Sequence, residues 1–163
     1  KPKHDASGDP QVVYVQDLLD EWLGTAAARV ILPITDPYVV HHGALGSFAT
    51  AYLPEDADHH EIISRLGDLD GIMLAIDKAA AVERFDLPAD RIGDVVMVSD
   101  ENITIGTSAD RHDLAALKEP LRSHGGLTEQ AVPFIVNRRI DLPEAPELRN
   151  FDAFFHAARA AAK

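Results

Sequence analysis

Cysteine is absent from this sequence of 163 residues. Its absence excludes disulfide bonds, thiolate metal ligands and a cysteine nucleophile, so any zinc bound here must use histidine and carboxylate ligands. Long hydrophobic runs are also lacking, and none approaches the ~20 residues that span a bilayer. No secretory signal sequence is visible, and we expect a cytoplasmic protein.

Positive charge is scarce, with 15 Lys and Arg residues against 27 Asp and Glu residues and a net charge of −12. Such an acidic surface repels phosphate backbones and anionic lipids, so we expect neither nucleic acid nor membrane partners. The same field opposes binding of an anionic substrate unless bound cations overcome it. The hydrophobic fraction of 46% indicates a packed core.

The hydrophobic periodicity predicts alternating helices and strands. An amphipathic helix begins near Val15 and ends at Gly24. Asp58 has the spacing of a helix N-cap, and Asp77 is predicted to cap the next helix. Residues 48–99 read as strand, helix, strand, helix, strand, an order that favours an α/β or split βαβ layer.

The C-terminal residues predict a helix with an aromatic face. Asn150 is a candidate N-cap, and Phe151, Phe154 and Phe155 follow at helical spacing. We interpret this aromatic stripe as a docking surface.

One loop, residues 121–138, has features of a metal site. His124 is followed by two glycines, and the apolar residues 132–136 are predicted to form a short buried strand. Imidazole is a common zinc ligand, and glycine lets the backbone approach a ligand closely. The alternative is a surface turn that contains a histidine.

Three other histidines are candidate site residues. His41 and His42 are adjacent on a predicted strand and therefore point to opposite faces, so both can rarely bind one ion. The alternative interpretation is that this pair lies beside a substrate pocket. His112 precedes Asp113, which suits acid–base chemistry or, alternatively, a loop hydrogen bond.

Residues 123–138, SHGGLTEQAVPFIVNR, resemble the last metal-ligand motif of the alkaline phosphatase superfamily. Residues 31–54 and 106–126 resemble, more narrowly, the phosphonoacetate hydrolase family. The resemblance implies an α/β fold with a partial alkaline-phosphatase-like core and an inserted split βαβ (ferredoxin-like) cap region. Residues 1–35 would be a core segment, residues 36–100 the cap-like region, and residues 101–163 the return to the core with the metal-ligand loop and the C-terminal helix.

The family hydrolyses the carbon–phosphorus bond of phosphonoacetate to acetate and phosphate in phosphonate degradation, using two zinc ions. By this resemblance His124 is a metal ligand, and His41 and His42 bind the small anionic phosphonate substrate. Glu129 would orient the loop that carries His124. An ordinary surface carboxylate is the alternative for Glu129.

The family's nucleophilic threonine and its Asp-His-Gly motif have no counterpart in this sequence, so no catalytic residue is assigned. We therefore expect a C-terminal fragment that is inactive alone and whose partner is the missing N-terminal part of the same enzyme. Two alternatives remain: a fragment of another phosphodiesterase or phosphotransferase of the superfamily, or a non-catalytic acidic α/β binding domain, which includes packing in a homo-oligomer.

Overall fold

The computed structural model of this chain describes most of the sequence. The described residues are 4, 6, 8–33, 45–115, 117, 121, 123–137, 139–140 and 148–161. They fall into two compact units, Lys1–Gln130 and Ala131–Lys163. The fold is α/β, as predicted, with one parallel and one antiparallel sheet among the described residues. Among the described residues, no helix combines the length and apolar character that a membrane span requires.

A four-stranded antiparallel sheet forms the larger part of the first unit. Its strands are β2 (Arg29–Ile31), β3 (Phe48–Tyr52), β4 (Ile72–Asp77) and β5 (Val95–Ser99), in the order β2-β3-β5-β4. Because β3 and β4 both run antiparallel to β5, they are parallel to each other with β5 between them. Every residue of β5 is buried, which agrees with its sequence VVMVS, apolar except at its last position.

Helices cover both faces of this sheet. The helices α1 (Val15–Leu23) and α2 (His59–Gly67) pack with Met97 in the main core cluster. The helix α3 (Lys78–Phe85) packs with Val96 in a second cluster. Since successive residues of a strand point to opposite faces, the two clusters lie on opposite sides of β5.

The ends of these helices follow the local sequence, as predicted. The carboxylate of Asp58 accepts a hydrogen bond from the backbone N–H of Glu61 at 3.1 Å. Asp77 accepts one from Ala80 at 2.8 Å. Gly24 follows the last residue of α1 with a φ of 98°, a backbone conformation that glycine adopts without strain. These three helix boundaries are confirmed.

A second, two-stranded sheet pairs β1 (Val12–Tyr14) in parallel with β6 (Thr104–Gly106). The sequence analysis did not predict β1, and every residue of β6 is buried. Gly46 extends this sheet, because the N–H of Ile105 donates to its carbonyl at 2.7 Å. The segment before β3 is thereby fixed beside β6.

The second unit contains the helix α4 (Asp152–Ala161) and residues 131–137, which form neither helix nor strand. The predicted buried strand at residues 132–136 is wrong: this segment pairs with no strand among the described residues, and Ile135 is 85% exposed. A run of apolar residues becomes a buried strand only where another strand supplies hydrogen bonds and another layer covers it. The aromatic stripe of α4 is exposed as well, by 80% at Phe154.

Asp94 links three elements of the first unit. Its carboxylate accepts hydrogen bonds from the backbone N–H of Leu53, after β3, and from Lys78 at the start of α3, each at 3.0 Å. Burial alone would raise the pKa of this carboxyl group, but the two hydrogen bonds and the positive charge of Lys78 outweigh burial and lower it.

We predict that Asp94→Asn lowers the free energy of unfolding at neutral pH by about 1–2 kcal/mol, because the charged acceptor of two hydrogen bonds is lost. A carboxyl group with a lowered folded-state pKa stabilises the fold fully above its ordinary pKa of 3.8 and loses that effect as the pH falls through the folded-state value. Urea titrations at neutral pH and below the ordinary pKa should show the difference between the two proteins shrinking in acid.

The control is Asp90→Asn, because the Asp90 carboxylate is 76% exposed and lies 3.5 Å from Arg91. An exposed ion pair contributes little to stability, so this variant should unfold like the parent chain. Equal destabilisation by the two variants at neutral pH would contradict the role assigned to Asp94.

Candidate metal-ligand loop

The loop that carries His124 is held against the start of β3. The hydroxyl of Ser123 donates a hydrogen bond to the carbonyl of Leu45 at 2.6 Å. The backbone N–H of Ser47 donates to the carbonyl of His124 at 3.0 Å. Leu121, just before these contacts, is buried at 2% exposure. The backbone on both sides of the His124 side chain is therefore fixed.

The backbone favours glycine directly after His124, and the next residue, also glycine, lies against Ser47. Gly125 has a φ of 94°, in the left-handed region that side chains disfavour. A Cβ atom on Gly126 would lie 3.4 Å from the Cβ of Ser47. The two glycines thus let the loop turn sharply and pass close to β3. The His124 side chain is exposed, and its ring makes no hydrogen bond within the described part of the chain.

Glu129 closes the other side of the loop. Its carboxylate accepts a hydrogen bond from the backbone N–H of Gly126 at 3.1 Å. In return the backbone N–H of Glu129 donates to the carbonyl of Gly126 at 3.2 Å. The 3₁₀ turn Leu127–Glu129 is held by this reciprocal pair. These are contacts expected of a carboxylate that orients the loop, and that role stays a prediction.

One imidazole is too few ligands for a catalytic zinc ion, which takes about three from the protein. No group of three or more His, Asp or Glu side chains is arranged to hold a metal within the described residues. His41 and His42 lie outside the described residues, so the structure does not place them. The assignment of His124 as a metal ligand therefore stays a prediction.

His112 occupies a different place from His124. Its ring is buried, stacks on Tyr14 with 6.1 Å between ring centroids, and accepts a hydrogen bond at Nε2 from the backbone N–H of Thr107 at 3.0 Å. Burial raises the pKa of the Tyr14 phenol, and the negative charges of Asp17 and Asp9 add to this. The loop hydrogen bond, the alternative given for His112, is present.

No sequence pattern identifies the residues that anchor the loop. Ser123 and Leu45 are 78 positions apart, and a backbone carbonyl leaves no trace in the residue type that carries it. A serine next to the candidate ligand was the single visible hint, and serine is common in loops.

Comparison with known proteins finds solved relatives that are longer than this chain. No family model matches the sequence. Two solved structures of phosphonoacetate hydrolase from Sinorhizobium meliloti 1021, in complex with phosphonoformate and with phosphonoacetate, are 70% identical over 99% of this chain, with TM-scores of 0.86 and 0.85. The resemblance to phosphonoacetate hydrolase is confirmed.

The match is to part of each relative. This chain covers 39% of the solved phosphonoacetate hydrolase structures. A phosphonoacetate hydrolase from Penicillium oxalicum is 58% identical over 31 residues, which are 18% of this chain and 43% of that protein. The larger share of the solved relatives therefore has no counterpart in this sequence.

We predict that Ser123→Ala loosens the His124 loop and lowers the free energy of unfolding by about 1 kcal/mol, because the Leu45 carbonyl loses its donor. Amide hydrogen exchange should show faster exchange at Ser47, whose N–H bonds to His124. The control is Ser108→Ala, because Ser108 starts a 3₁₀ turn without a side-chain capping bond. Unchanged exchange at Ser47 in Ser123→Ala would show that the Leu45 bond does not hold the loop.

Proposed function

We propose that this chain is the C-terminal part of a zinc-dependent phosphonoacetate hydrolase, which cleaves a carbon–phosphorus bond to give acetate and phosphate. The observation that carries this proposal is 70% identity over 99% of the chain with hydrolase structures that hold phosphonoacetate and phosphonoformate. The sharp, doubly anchored turn at His124 agrees with it, because a metal ligand requires a fixed backbone.

The topology supports a division into a core part and a cap part. In this proposal, residues 36–100 form a ferredoxin-like cap, because β3, α2 and β4 enclose β5 in a split βαβ arrangement, and β2 from the core segment 1–35 pairs with β3 at the edge of the same sheet. The helix α3 packs on the sheet face opposite α2. The similarity to a ferredoxin-like fold therefore concerns the order of the strands and not the positions of both helices. The parallel pair β1–β6 and the second unit would belong to an alkaline-phosphatase-like core.

In the intact enzyme His124 would be one ligand of a pair of zinc ions, the others being supplied outside the described residues. Bound zinc would polarise the phosphoryl oxygens and lower the pKa of a water molecule. Ser123 and Ser47 keep the His124 backbone in place, and Glu129 holds the turn that follows. His41 and His42 are proposed to contact the anionic substrate.

We expect this chain alone to release no acetate from phosphonoacetate in the presence of zinc, because one histidine does not make a catalytic metal site. The measurement is acetate released per mole of chain over several hours. Release of more than one equivalent would refute the assignment of this chain as an incomplete part.

In the intact protein, His124→Ala should reduce kcat by at least about 100-fold and lower the zinc content, because a metal ligand is lost. The control is His60→Ala, which removes an exposed imidazole from α2 and should keep both. Metal content by mass spectrometry and acetate release are measured together. Full activity and full zinc content in His124→Ala would overturn the assignment of His124.

A further inference from the structure

A cavity of about 770 Å³ in the first unit lies beside the carboxyl ends of the parallel strands β1 and β6. There β1 leads into α1, whose Gln16 lines the cavity, and β6 leads into Thr107, which lines it as well. Ligands of α/β sheets bind outside the carboxyl ends of parallel strands. None of the described residues in the His124 loop, 121–129, lines this cavity. It is therefore a second place where the fold suits a ligand.

Two exposed arginines from distant segments line the cavity. Arg29 begins β2, and Arg111 ends the 3₁₀ turn after β6. Neither guanidinium group has an ion pair or a hydrogen bond with another described residue, although residues 1–130 carry 23 Asp and Glu residues against ten Lys and Arg residues. The other described arginines of this unit each contact a ring or a carboxylate: Arg65 with Trp22, Arg84 with Phe85, and Arg91 with Asp90.

The side chain of Gln16 fixes the backbone on both sides of Arg29. Its amide nitrogen donates a hydrogen bond to the carbonyl of Ala28 at 3.0 Å, and its amide oxygen accepts one from the N–H of Val30 at 2.9 Å. The backbone N–H of Gln16 also donates to the carbonyl of Thr107 at 3.0 Å. One residue thus joins β2 to the loop after β6, and these are the two walls that carry the arginines.

The buried ring of His112 fixes the loop that carries Arg111. Its Nε2 atom accepts a hydrogen bond from the N–H of Thr107 at 3.0 Å, and the Thr107 hydroxyl lies 3.1 Å from the same nitrogen. The N–H of Ala109 donates to the carboxylate of Asp17 at 2.9 Å. Both arginines therefore extend from backbone that is already held in place, which limits the conformational entropy lost when a ligand binds.

Positive charge predominates in the lining of the cavity. Its one carboxylate among the described residues is Asp20, and one oxygen of that group accepts hydrogen bonds from the Gln16 amide at 2.8 Å and from the N–H of Ala26 at 3.0 Å. Two guanidinium groups thus oppose one engaged carboxylate, and the hydroxyls of Thr25 and Ser108 are also in the lining. An anion is attracted here, although the field of the whole unit repels it.

We propose that this cavity binds a small phosphorus oxyanion, either inorganic phosphate or the phosphoryl end of a phosphonate, through Arg29 and Arg111 and without a metal ion. A doubly charged group with three or four acceptor oxygens can engage both guanidinium groups at once, whereas a carboxylate has two oxygens and one charge. The proposed hydrolase function does not include this site, since that function depends on metal ions at His124.

The test titrates this chain with inorganic phosphate in the presence of EDTA and follows the amide resonances of Thr107 and Ser108. We expect shifts that saturate. Arg29→Ala and Arg111→Ala should each raise the Kd at least about tenfold, because each removes a charged group with paired donors. Arg111→Lys should raise the Kd by less than Arg111→Ala, because lysine keeps the charge and loses the paired donors.

The control is Arg84→Ala, which removes an equal charge from α3, outside the cavity. Salt screens the field of such a distant group, so the Kd should change by less than about twofold. Shifts that do not saturate would overturn the proposal. A loss of binding in Arg84→Ala equal to that in Arg111→Ala would also overturn it, because phosphate would then respond only to the total charge.

Two further ligands distinguish the chemistry of the bound group. Phosphonoacetate should bind with a Kd similar to that of phosphate, and acetate should bind at least about tenfold more weakly, because it lacks the phosphoryl group. Acetate that binds as tightly as phosphate would show that the cavity takes carboxylates, and the assignment to phosphorus oxyanions would be wrong. Competition between phosphate and phosphonoacetate shows whether they share the cavity.

The intact protein, stripped of metal, provides the second measurement. Equilibrium dialysis should show phosphate binding that is weakened by Arg29→Ala and Arg111→Ala and unchanged by His124→Ala. Binding that this chain shows and the intact protein lacks would mean that the cavity is covered there, and the proposal would be wrong. Neither measurement uses zinc or turnover, so failure of the hydrolase assignment would leave these results unchanged.

Discussion

The backbone of Gly46 and Ser47 is the constraint on which the first unit depends. The carbonyl of Gly46 accepts from Ile105 in β6 at 2.7 Å, and the carbonyl of Ser47 accepts from Ser99 at the end of β5 at 2.9 Å. The N–H of Ser47 donates to His124 at 3.0 Å. Two residues thus join both sheets and the His124 loop through backbone hydrogen bonds, which every residue type except proline can make. A shift of this segment would move His124 together with the sheets.

Local signals in the sequence were sufficient for the starts of α2 and α3 and the end of α1, whereas α4 begins at Asp152 and not directly after the predicted cap Asn150. Asp58 and Asp77 sit one residue before α2 and α3 because a short acidic side chain satisfies the free N–H groups of a first turn, and this requires no distant partner. Gly24 ends α1 for a similarly local reason. The strand β5 was visible because a strand covered on both faces is apolar at nearly every position.

Features that depend on distant residues were not predictable. The strand β1 is three residues long and is defined by its pairing with β6, about ninety positions away along the chain. The anchoring of the His124 loop also depends on a distant contact, between Ser123 and Leu45. His124 itself was identified by the family resemblance and not by a local pattern. Residues 132–136 show the converse error: apolar composition indicated a need for burial, and the described chain supplies no cover.

The charge of the first unit bears on how the proposed enzyme holds its substrate. Residues 1–130 carry 23 acidic against ten basic side chains, and His124 lies in this unit. An anionic phosphonate approaching the His124 loop meets a repulsive field, and the nearby carboxylate of Glu129 is already engaged with Gly126. Divalent cations bound at the loop would reverse this field locally, because a bound metal ion is the largest charge in its site. In the proposed hydrolase, attraction of the substrate to the His124 loop therefore depends on the metal ions and on residues outside the first unit.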